Sequence, residues 1–514
     1  MSPPALAAGK AKHVVIVVMD GLRRDSVTAE DMPNLSKLAT QGAFFAAHHP
    51  VYLSTTEVNG TALATGTRPA HSGIVGNREY RPDVELLQPV DTQSEWAAWK
   101  GDQASGGKWL RVETLPQIVR AAGGKTVVAG TKSVAMLWDR SWENRTPDQP
   151  TLYGGDTIPA AVKDSLVKSF GPIPPMNDNR YFANVAQDHW TTRALTDNLW
   201  AAGLPTLSVL WLSEPDFGQH GAGPGSRVAR AGLKSSDDCL GKLLAALDQA
   251  RLRDQTDVLV VSDHGFSTVA AGIDVFDDLG SHGFDVGGLF LEKPDKGSIM
   301  LVGLGGSVAF YVIDHDAQLK AKLVKHLQEA PYAGVIFARP DGDQALPGTF
   351  PLAAASLDSP DAPDVVMSFL WSAEKPNREG AMPGALLIEG KGYKPGQGMH
   401  GSLSRFDMLN TLIAAGPDFK AGFRDQTPSA NSDVAPTVLN ILGIEQPREG
   451  MDGRVLEESF VNGPQTAPKV ETTVLKAEQK LEKKTWRQYL KVSTVNGKQR
   501  YYDEGNAGDG PQGH

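Results

Sequence analysis

Residues His13 to Gly21 read HVVIVVMDG, a continuous run of apolar, mostly β-branched side chains that ends in Asp-Gly. A run of this kind, without polar alternation, is typical of a strand buried on both faces of a parallel sheet. The stretch that follows, MPNLSKLATQGAFF, spaces Leu35 and Leu38 as on one face of a helix and then reaches Gly42. The pattern predicts a strand followed by a helix with a glycine stop.

The same alternation returns further along the chain. Residues 114–130 have the pattern of a helix and a strand, 204–216 and 256–265 are apolar runs, and 226–250 carry a 3.6-residue apolar period. Residues 433–444, DVAPTVLNILGI, add a closing helix. Repeated βα units predict an α/β fold with a doubly wound, mostly parallel central sheet, helices on both of its faces, and inserted cap or lid subdomains.

Breaks in this alternation predict the domain organisation. A main domain of residues 13–462 is expected to carry insertions at about 79–200, which is rich in Trp, Pro and Asn, and at about 267–397, a lid-like strand and helix region. Residues 463–514 form a C-terminal extension that opens with a Pro/Lys/Glu-rich helix or linker. The extension then continues as a hairpin that turns at Asn496-Gly497.

Composition narrows the class of protein. The chain has 514 residues, 40% of them hydrophobic, and a formal net charge of −10. An acidic chain argues against a nucleic-acid surface, because the phosphate backbone favours basic proteins. The single cysteine, Cys239, excludes internal disulfides and cysteine-based metal clusters. The sequence contains no run of 18 apolar residues, so it predicts no membrane span. We also expect the protein to be a monomer.

The first twelve residues carry two alternative interpretations. Ala5 and Ala7 form the A-x-A pattern that ends an export signal, although the apolar segment that should precede it is missing. Residues 1–12 are therefore either the remnant of a signal or a disordered, Ala/Pro-rich start. The first alternative predicts a periplasmic or secreted protein, in keeping with the near-absence of cysteine.

Potential metal ligands follow three of the apolar runs. In doubly wound sheets, ligands bind beyond the carboxyl ends of the strands. Taken singly, each of these residues has an ordinary explanation as a turn, an N-cap or a loop residue. Together, three carboxylates and three imidazoles would suffice for two adjacent Zn²⁺ sites without any cysteine. The six are Asp20, Asp216, His220, Asp263, His264 and His400.

The ordered set of motifs VVMDG, STTEVNGTALATG, HSGIVGN, PDFGQHGAGP, VVSDHGF and GMHGS resembles the alkaline phosphatase superfamily, and most closely its type I phosphodiesterase/nucleotide pyrophosphatase branch. The resemblance runs from about residue 13 to 460. It implies two metal ions, usually zinc, with other divalent ions such as Mn²⁺ as alternatives. It assigns Asp20, Thr56, Asp263 and His264 to one ion, and Asp216, His220 and His400 to the other.

The resemblance also implies the nucleophile. In that family a nucleophilic threonine stands 21 positions before the asparagine of the HSGIVGN element, here Asn77, and this spacing points to Thr56 rather than Ser54 or Thr55. Here TEVNG replaces the common T-F-P-N-H continuation, while Asn59 keeps its place. A threonine hydroxyl needs activation by a base or metal. Thr56 and Asn77 would hold a phosphoryl oxygen, and turnover would pass through phospho-Thr56.

Several activities fit this site. The expected function is hydrolysis of a small phosphodiester or nucleotide pyrophosphate, with phosphomonoesters or phosphonates as alternatives and a non-catalytic metal-binding protein as an alternative of another class. Lys132 is expected to contact substrate, as a lysine does in the monoesterase and phosphonate-hydrolase branches. The second basic residue of their pattern is here Val134, so that Arg140 would have to supply its charge. No sulfatase-type C/S-x-P-x-R element accompanies Thr56.

Overall fold

The strand His13–Met19 lies inside the central sheet, paired in parallel with Thr256–Val261 on one side and Leu207–Leu212 on the other. The computed structural model describes residues 9–141, 146–176, 182–342 and 344–511. The Ala5–Ala7 pattern, and with it most of the predicted signal remnant, lies outside the described residues.

The central sheet mixes parallel and antiparallel pairs, with parallel pairs in the majority. From one edge to the other its strands are Phe423–Asp425, Ala43–Phe45, Leu412–Ala415, Thr256–Val261, His13–Met19, Leu207–Leu212, Thr126–Gly130, Thr151–Tyr153 and Asp156–Ile158.

Both faces of the central sheet are buried, as the unbroken apolar run predicted. Val14, Ile16 and Val18 pack into one hydrophobic cluster, while Val15 and Val17 point into another on the opposite face. Each such fully buried side chain contributes about 1.5–3 kcal/mol relative to an exposed one. The predicted α/β fold with helices on both faces is confirmed.

Helices cover both faces of the central sheet and also pack against the other sheets, and the four helices predicted from the sequence are among them. In chain order the helices are Pro33–Gln41, Thr56–Thr65, Pro69–Ser72, Glu95–Ser105, Leu115–Ala121, Ala135–Trp138, Ala161–Phe170, Val185–Arg193 with its π-helical continuation Ala194–Leu199, Asp216–Ala222, Arg227–Gln249, Val275–Ser281, Ala317–Glu329 and Val434–Leu442. Where the structure describes the chain, none of these helices combines the length and apolarity that a bilayer crossing requires.

A second sheet and a smaller third sheet lie outside the central sheet. The second consists of Asp285–Gly287, Ser298–Gly303, Ser307–Val312, Val365–Phe369, Ala333–Ala338 and Phe350–Pro351 in spatial order. The third consists of Trp371–Ser372, Ala385–Glu389, Ser267–Ile273 and Gly398–Met399. The strand and helix predicted within 306–330 are present as Ser307–Val312 and Ala317–Glu329. Short ladders pair His48–His49 with Ser429–Ala430, and Arg78–Glu79 with Val90–Asp91.

The region predicted as the first insertion contributes strands to the central sheet. Within residues 79–200, the strands Thr126–Gly130, Thr151–Tyr153 and Asp156–Ile158 belong to the central sheet. Thr126–Gly130 pairs directly with Leu207–Leu212 in parallel. The irregular composition of this region therefore marks long connections around sheet strands rather than one separate body, and the proposed domain division stays a prediction.

The C-terminal extension is a meander rather than a helix and hairpin. Val470–Lys480, where a helix or linker was expected, is a strand that pairs with Thr485–Val495, and the predicted helix is wrong there. The hairpin between Thr485–Val495 and Gln499–Ala507 is confirmed, with Asn496 and Gly497 both at positive φ. The Gln488 side chain binds the backbone of Ile336 through both of its polar atoms, which ties the meander to the second sheet.

Candidate active site

The predicted ligands converge because their strands are neighbours. Asp20 follows His13–Met19, Asp263 and His264 follow the adjacent strand, and Asp216 begins the helix that follows the strand on the other side. The carboxyl ends of parallel strands share one edge of the sheet, so these side chains meet there. His400 arrives from the third sheet, directly after Gly398–Met399.

One donor group contains Asp20, Asp263 and His264, all fully buried. His264 Nε2 lies 3.6 Å from Asp20 Oδ1 and 3.3 Å from Asp263 Oδ2. Thr56 Oγ1 lies 3.2 Å from the same His264 nitrogen. Three of the residues that the resemblance assigned to one ion, Asp20, Thr56 and Asp263, therefore lie within 3.6 Å of the fourth, His264.

The other donor group contains Asp216, His220 and His400. His220 stands one helical turn after Asp216, and its Nε2 lies 3.2 Å from Asp216 Oδ1. His400 Nε2 lies 3.7 Å from that same oxygen. The His400 ring stacks on the ring of His264 with centroids 3.6 Å apart, so the two groups are in contact.

All three imidazoles are oriented in the same way. Nδ1 of His264, His220 and His400 lies within 2.9–3.1 Å of the carbonyl oxygens of Gly265, Gly398 and Ser54, respectively. A carbonyl only accepts, so the proton of each neutral ring sits on Nδ1 and the lone pair sits on Nε2. Metal-ligating histidines usually donate their other ring N–H to a carbonyl or carboxylate in this way.

Unpartnered oxygens face these lone pairs. Asp20 Oδ1, Asp216 Oδ1 and Asp263 Oδ2 are buried and have no hydrogen-bond partner among the described residues. A buried carboxylate oxygen without a partner is costly unless a cation binds it. Asp and His donors without cysteine suit Zn²⁺ and also Mn²⁺. The residues present therefore fit a pair of divalent ions.

The ionisation of these groups supports the same conclusion. Burial, reinforced by the charge of Asp263, raises the pKa of Asp20, and burial raises the pKa of Asp263 to about 7. Burial, with the neighbouring imidazoles, holds the pKa of His400 well below its usual range. Burial acts to raise the pKa of Asp216 as well, but Lys132 and His220 hold it well below its usual value. A bound cation would favour the ionised form of Asp20 and Asp263 and the neutral form of His400.

Lys132 lies between the two groups. Its Nζ is 2.9 Å from Asp20 Oδ2 and 3.0 Å from Asp216 Oδ2, so it contacts the oxygens opposite the unpartnered ones. Burial acts to lower the pKa of Lys132, but the carboxylates of Asp20 and Asp216 outweigh it and raise that pKa well above its usual value. Lys132 is thus a fixed positive charge at the centre of the site.

Thr56 is the first residue of the helix Thr56–Thr65, and Thr55 is its N-cap. The backbone N–H groups of the first helical turn and the positive end of the helix dipole therefore lie beside the Thr56 hydroxyl. The Asn77 Oδ1 accepts the N–H of Glu57 at 3.2 Å, which brings Asn77 next to this helix start. The other hydroxyls are placed differently: Ser54 Oγ donates to Ser402 O at 2.8 Å, and Thr55 Oγ1 is buried.

Sequence reasoning missed the residues that hold this loop. Asn59 Oδ1 accepts the Val51 N–H at 2.7 Å, and its Nδ2 donates to Val51, Leu53 and Thr55 carbonyls at 3.0–3.2 Å. Asn431 donates to Asn59 Oδ1 and to the carbonyl of Asp263. The only signal was that Asn59 keeps its place after Thr56.

Two further neighbours were also missed. Trp211 Nε1 donates to Asp20 Oδ2 at 2.9 Å from within the apolar run that suggested only a strand. Glu57 replaces the phenylalanine of the common motif and is buried, with Oε2 unpartnered among the described residues. Burial raises the pKa of Glu57 to about 8. Arg140, which was to supply a second positive charge, instead binds Asp102 at 2.8 Å.

The sequence model of the family described as type I phosphodiesterase / nucleotide pyrophosphatase matches residues 14–401. The bis(5'-adenosyl)-triphosphatase enpp4 of Xenopus laevis is 27% identical over 259 residues, which are 49% of this chain and 47% of that protein. Ectonucleotide pyrophosphatase/phosphodiesterase family member 3 of Mus musculus is 25% identical over 261 residues, 49% of this chain and 24% of that protein. The chain thus spans about half or less of the length of these curated relatives.

A solved structure gives the same answer for the fold. Human ectonucleotide pyrophosphatase/phosphodiesterase 5 superposes with a TM-score of 0.59 at 17% identity, over 88% of this chain and 100% of that one. At this identity the likeness concerns the fold alone. Because the family's sequence model spans most of the chain, the chain belongs to the type I phosphodiesterase/nucleotide pyrophosphatase family, a branch of the alkaline phosphatase superfamily.

Proposed function

We propose that the protein hydrolyses phosphodiester or nucleotide pyrophosphate bonds, with Thr56 as the nucleophile. The observation that carries this proposal is the position of the Thr56 hydroxyl, 3.2 Å from His264 Nε2, at a helix start and beside two Asp/His donor groups. Divalent ions held by these groups would act as Lewis acids, lowering the pKa of a nearby hydroxyl and neutralising phosphoryl charge.

The chain's own residues account for the remaining chemistry. The Thr56 hydroxyl loses its proton to solvent as its oxygen attacks phosphorus, the bond from phosphorus to the leaving oxygen breaks, and the leaving group departs and takes up a proton from solvent. Water then cleaves the bond between Thr56 and the phosphoryl group and restores the hydroxyl. The Thr56 N–H and the Asn77 side-chain amide would hold a non-bridging oxygen, as preorganised donors do in acyl and phosphoryl transfer.

The charge at the site favours diesters over monoesters. A diester or pyrophosphate carries one negative charge at the scissile phosphoryl group, whereas a monoester is a dianion that needs extra cationic donors. Lys132 is held by Asp20 and Asp216, and Arg140 is held by Asp102. The names of the relatives, a triphosphatase and a nucleotide pyrophosphatase/phosphodiesterase, support the same preference.

Substitution of Thr56 tests the nucleophile. Thr56→Ala should reduce kcat on bis(p-nitrophenyl) phosphate about 10³-fold or more, while Thr56→Ser should keep measurable turnover. Thr55→Val is the matched control, because it is isosteric and removes a buried hydroxyl that lacks a partner among the described residues. If Thr55→Val inactivated the enzyme and Thr56→Ala did not, the assignment would be wrong.

Metal content and substrate preference test the rest of the proposal. After reconstitution with zinc, His220→Ala should bind one ion fewer than the wild type and lose most of its activity. Comparing kcat/KM for bis(p-nitrophenyl) phosphate, p-nitrophenyl phosphate, a dinucleotide and a phosphonate measures the preference. A monoester preference that collapses in Lys132→Ala would overturn the choice of diester.

We also infer a periplasmic or secreted location and a monomeric state. The support for the location is the Ala5–Ala7 pattern and the near-absence of cysteine. Fractionation of the native host, with detection of the protein in the cytosolic fraction alone, would contradict the location. Size-exclusion chromatography with light scattering tests the monomer, which a mass of twice 54.9 kDa would contradict.

A further inference from the structure

One short loop decides where two of the candidate metal donors lie. It comprises residues 213–215, which connect the strand Leu207–Leu212 to the helix Asp216–Ala222 and which we name the entry loop. Asp216 is the first residue of that helix, and His220 lies one turn later. A displacement of the entry loop would therefore displace both donors.

The carboxylate of Asp188, on the helix Val185–Arg193, holds the entry loop by its backbone. The Ser213 N–H donates to Asp188 Oδ1 at 2.7 Å, and the Glu214 N–H donates to Oδ2 at 3.0 Å. The Ser213 hydroxyl also donates to Oδ1, at 3.1 Å. Asp188 is fully buried, and a carboxylate is tolerated there only because such bonds offset its desolvation. One side chain thus fixes two consecutive peptide groups of the loop.

Glu214, a buried residue of the entry loop, is bound from three other parts of the chain. Its Oε2 accepts the Gly218 N–H at 3.1 Å, and its Oε1 accepts the Asn184 N–H. Its carbonyl accepts the Ser236 hydroxyl at 2.9 Å. A Cβ at Gly232 would overlap Glu214 Oε2, so the glycine there makes room for the carboxylate. These contacts fasten the loop to the helix that follows it and to the neighbouring helices.

The two metal groups depend on this network to different degrees. In the group of Asp216, His220 and His400, two of the three donors directly follow the entry loop. The donors of the other group, which begins at Asp20, follow different strands of the central sheet. Residues that orient metal ligands are needed for full metal affinity. Loss of the network should therefore weaken the binding of one ion and spare the other.

We propose that Asp188 is a positioning residue for one of the two metal ions that the proposed hydrolysis requires. By holding the entry loop, it sets the positions of Asp216 and His220, and so the affinity for the ion that they bind together with His400. The inference rests on the proposed metal pair, and Asp188 itself touches neither ion nor substrate. In Asp188→Asn one carboxylate oxygen becomes an NH₂ group, so one of the two loop N–H groups loses its acceptor.

Zinc titration of the purified full chain, in competition with a chromophoric chelator, tests this inference. The wild type should show two dissociation constants, and His220→Ala identifies the one that belongs to the ion of Asp216. Asp188→Asn should weaken that constant about 10–100-fold and leave the other unchanged. The measurement reports bound zinc and needs no turnover.

Asp237→Asn is the matched control. Asp237 is also buried and accepts the consecutive N–H groups of Asn34 and Leu35 at 3.0 and 2.8 Å, but these belong to the helix Pro33–Gln41, which carries none of the metal donors. The control should lower the Tm about as much as Asp188→Asn and change neither zinc constant. The proposal is overturned if Asp188→Asn changes neither constant, or if both variants weaken the same constant equally.

Ser213→Ala keeps the test decisive if circular dichroism shows that Asp188→Asn does not fold. It removes the hydroxyl that donates to Asp188 and should weaken the same zinc constant by a smaller factor. Unchanged zinc constants in folded Ser213→Ala would then overturn the proposal. A wild type that binds both ions but cleaves no ester would refute the proposed function alone.

Discussion

Asn59 offers the sharpest test of how the nucleophile is positioned. Its Oδ1 accepts hydrogen bonds from the Val51 N–H and from Asn431, the latter at 3.0 Å, and the two hydrogens of its Nδ2 are shared among the carbonyls of Val51, Leu53 and Thr55. Asn59→Ala would leave these buried groups without partners. At about 1 kcal/mol net for each hydrogen bond, the free energy of unfolding should fall by about 3–5 kcal/mol.

The same substitution should affect activity, because the released loop leads directly into Thr56. We expect kcat on bis(p-nitrophenyl) phosphate to fall while bound zinc stays at the wild-type level, since the Asp and His ligands come from other elements. Urea denaturation followed by circular dichroism gives the stability, and elemental analysis gives the metal content.

A control on the same helix isolates the hydrogen-bond contribution. Thr61 is also buried, but its hydroxyl has no partner among the described residues. The isosteric Thr61→Val should therefore change the free energy of unfolding by less than about 1 kcal/mol or raise it. The reasoning is refuted if Asn59→Ala loses less than about 1 kcal/mol, or if Thr61→Val loses as much as Asn59→Ala.

Two further predictions concern Asp20 and a carboxylate far from the site. Trp211→Phe removes the N–H donated to Asp20 Oδ2 and should weaken zinc binding about 10–100-fold, as measured by competition with a chromophoric chelator. Unchanged affinity would mean that this bond does not support Asp20. Burial, with the neighbouring Asp418 carboxylate, raises the pKa of Asp257 to about 8. The folded state therefore binds this proton more tightly than the unfolded state, and the stability it contributes falls as pH rises from about 4 to about 8, by up to about 5 kcal/mol. Asp257→Asn should remove this slope in urea denaturation at pH 5 and pH 8, and parallel slopes for the two proteins would contradict the assignment.

The sequence by itself determined the α/β class and the identity of the candidate ligands. A strand such as His13–Met19 has apolar side chains on both of its faces, so it is stable only in a sheet whose two faces are both covered. This pattern therefore indicates the α/β class. The Asp and His residues that directly follow such runs lie together, because the carboxyl ends of parallel strands are all at the same edge of the sheet. Local pattern is sufficient for these features.

Only the tertiary structure decided the features that depend on distant partners. The strand Thr126–Gly130 could be read from its sequence, but its place in the central sheet depends on pairing with Leu207–Leu212. Val470–Lys480 is largely polar on both faces, so nothing local distinguishes a strand from a linker there, and its partner Thr485–Val495 fixes the outcome.

The same limit applies to the site. The position of the Lys132 ammonium between Asp20 and Asp216, and the binding of Arg140 to Asp102, could not be read from local sequence, and the contact of Lys132 with substrate stays a prediction. Asn59 and its partner Asn431 are far apart in sequence, and their hydrogen bond forms only once the helices of the main domain have packed. Side-chain charges and amides bind whichever partner folding brings within about 3 Å, and that distance is a property of the whole chain rather than of any local segment.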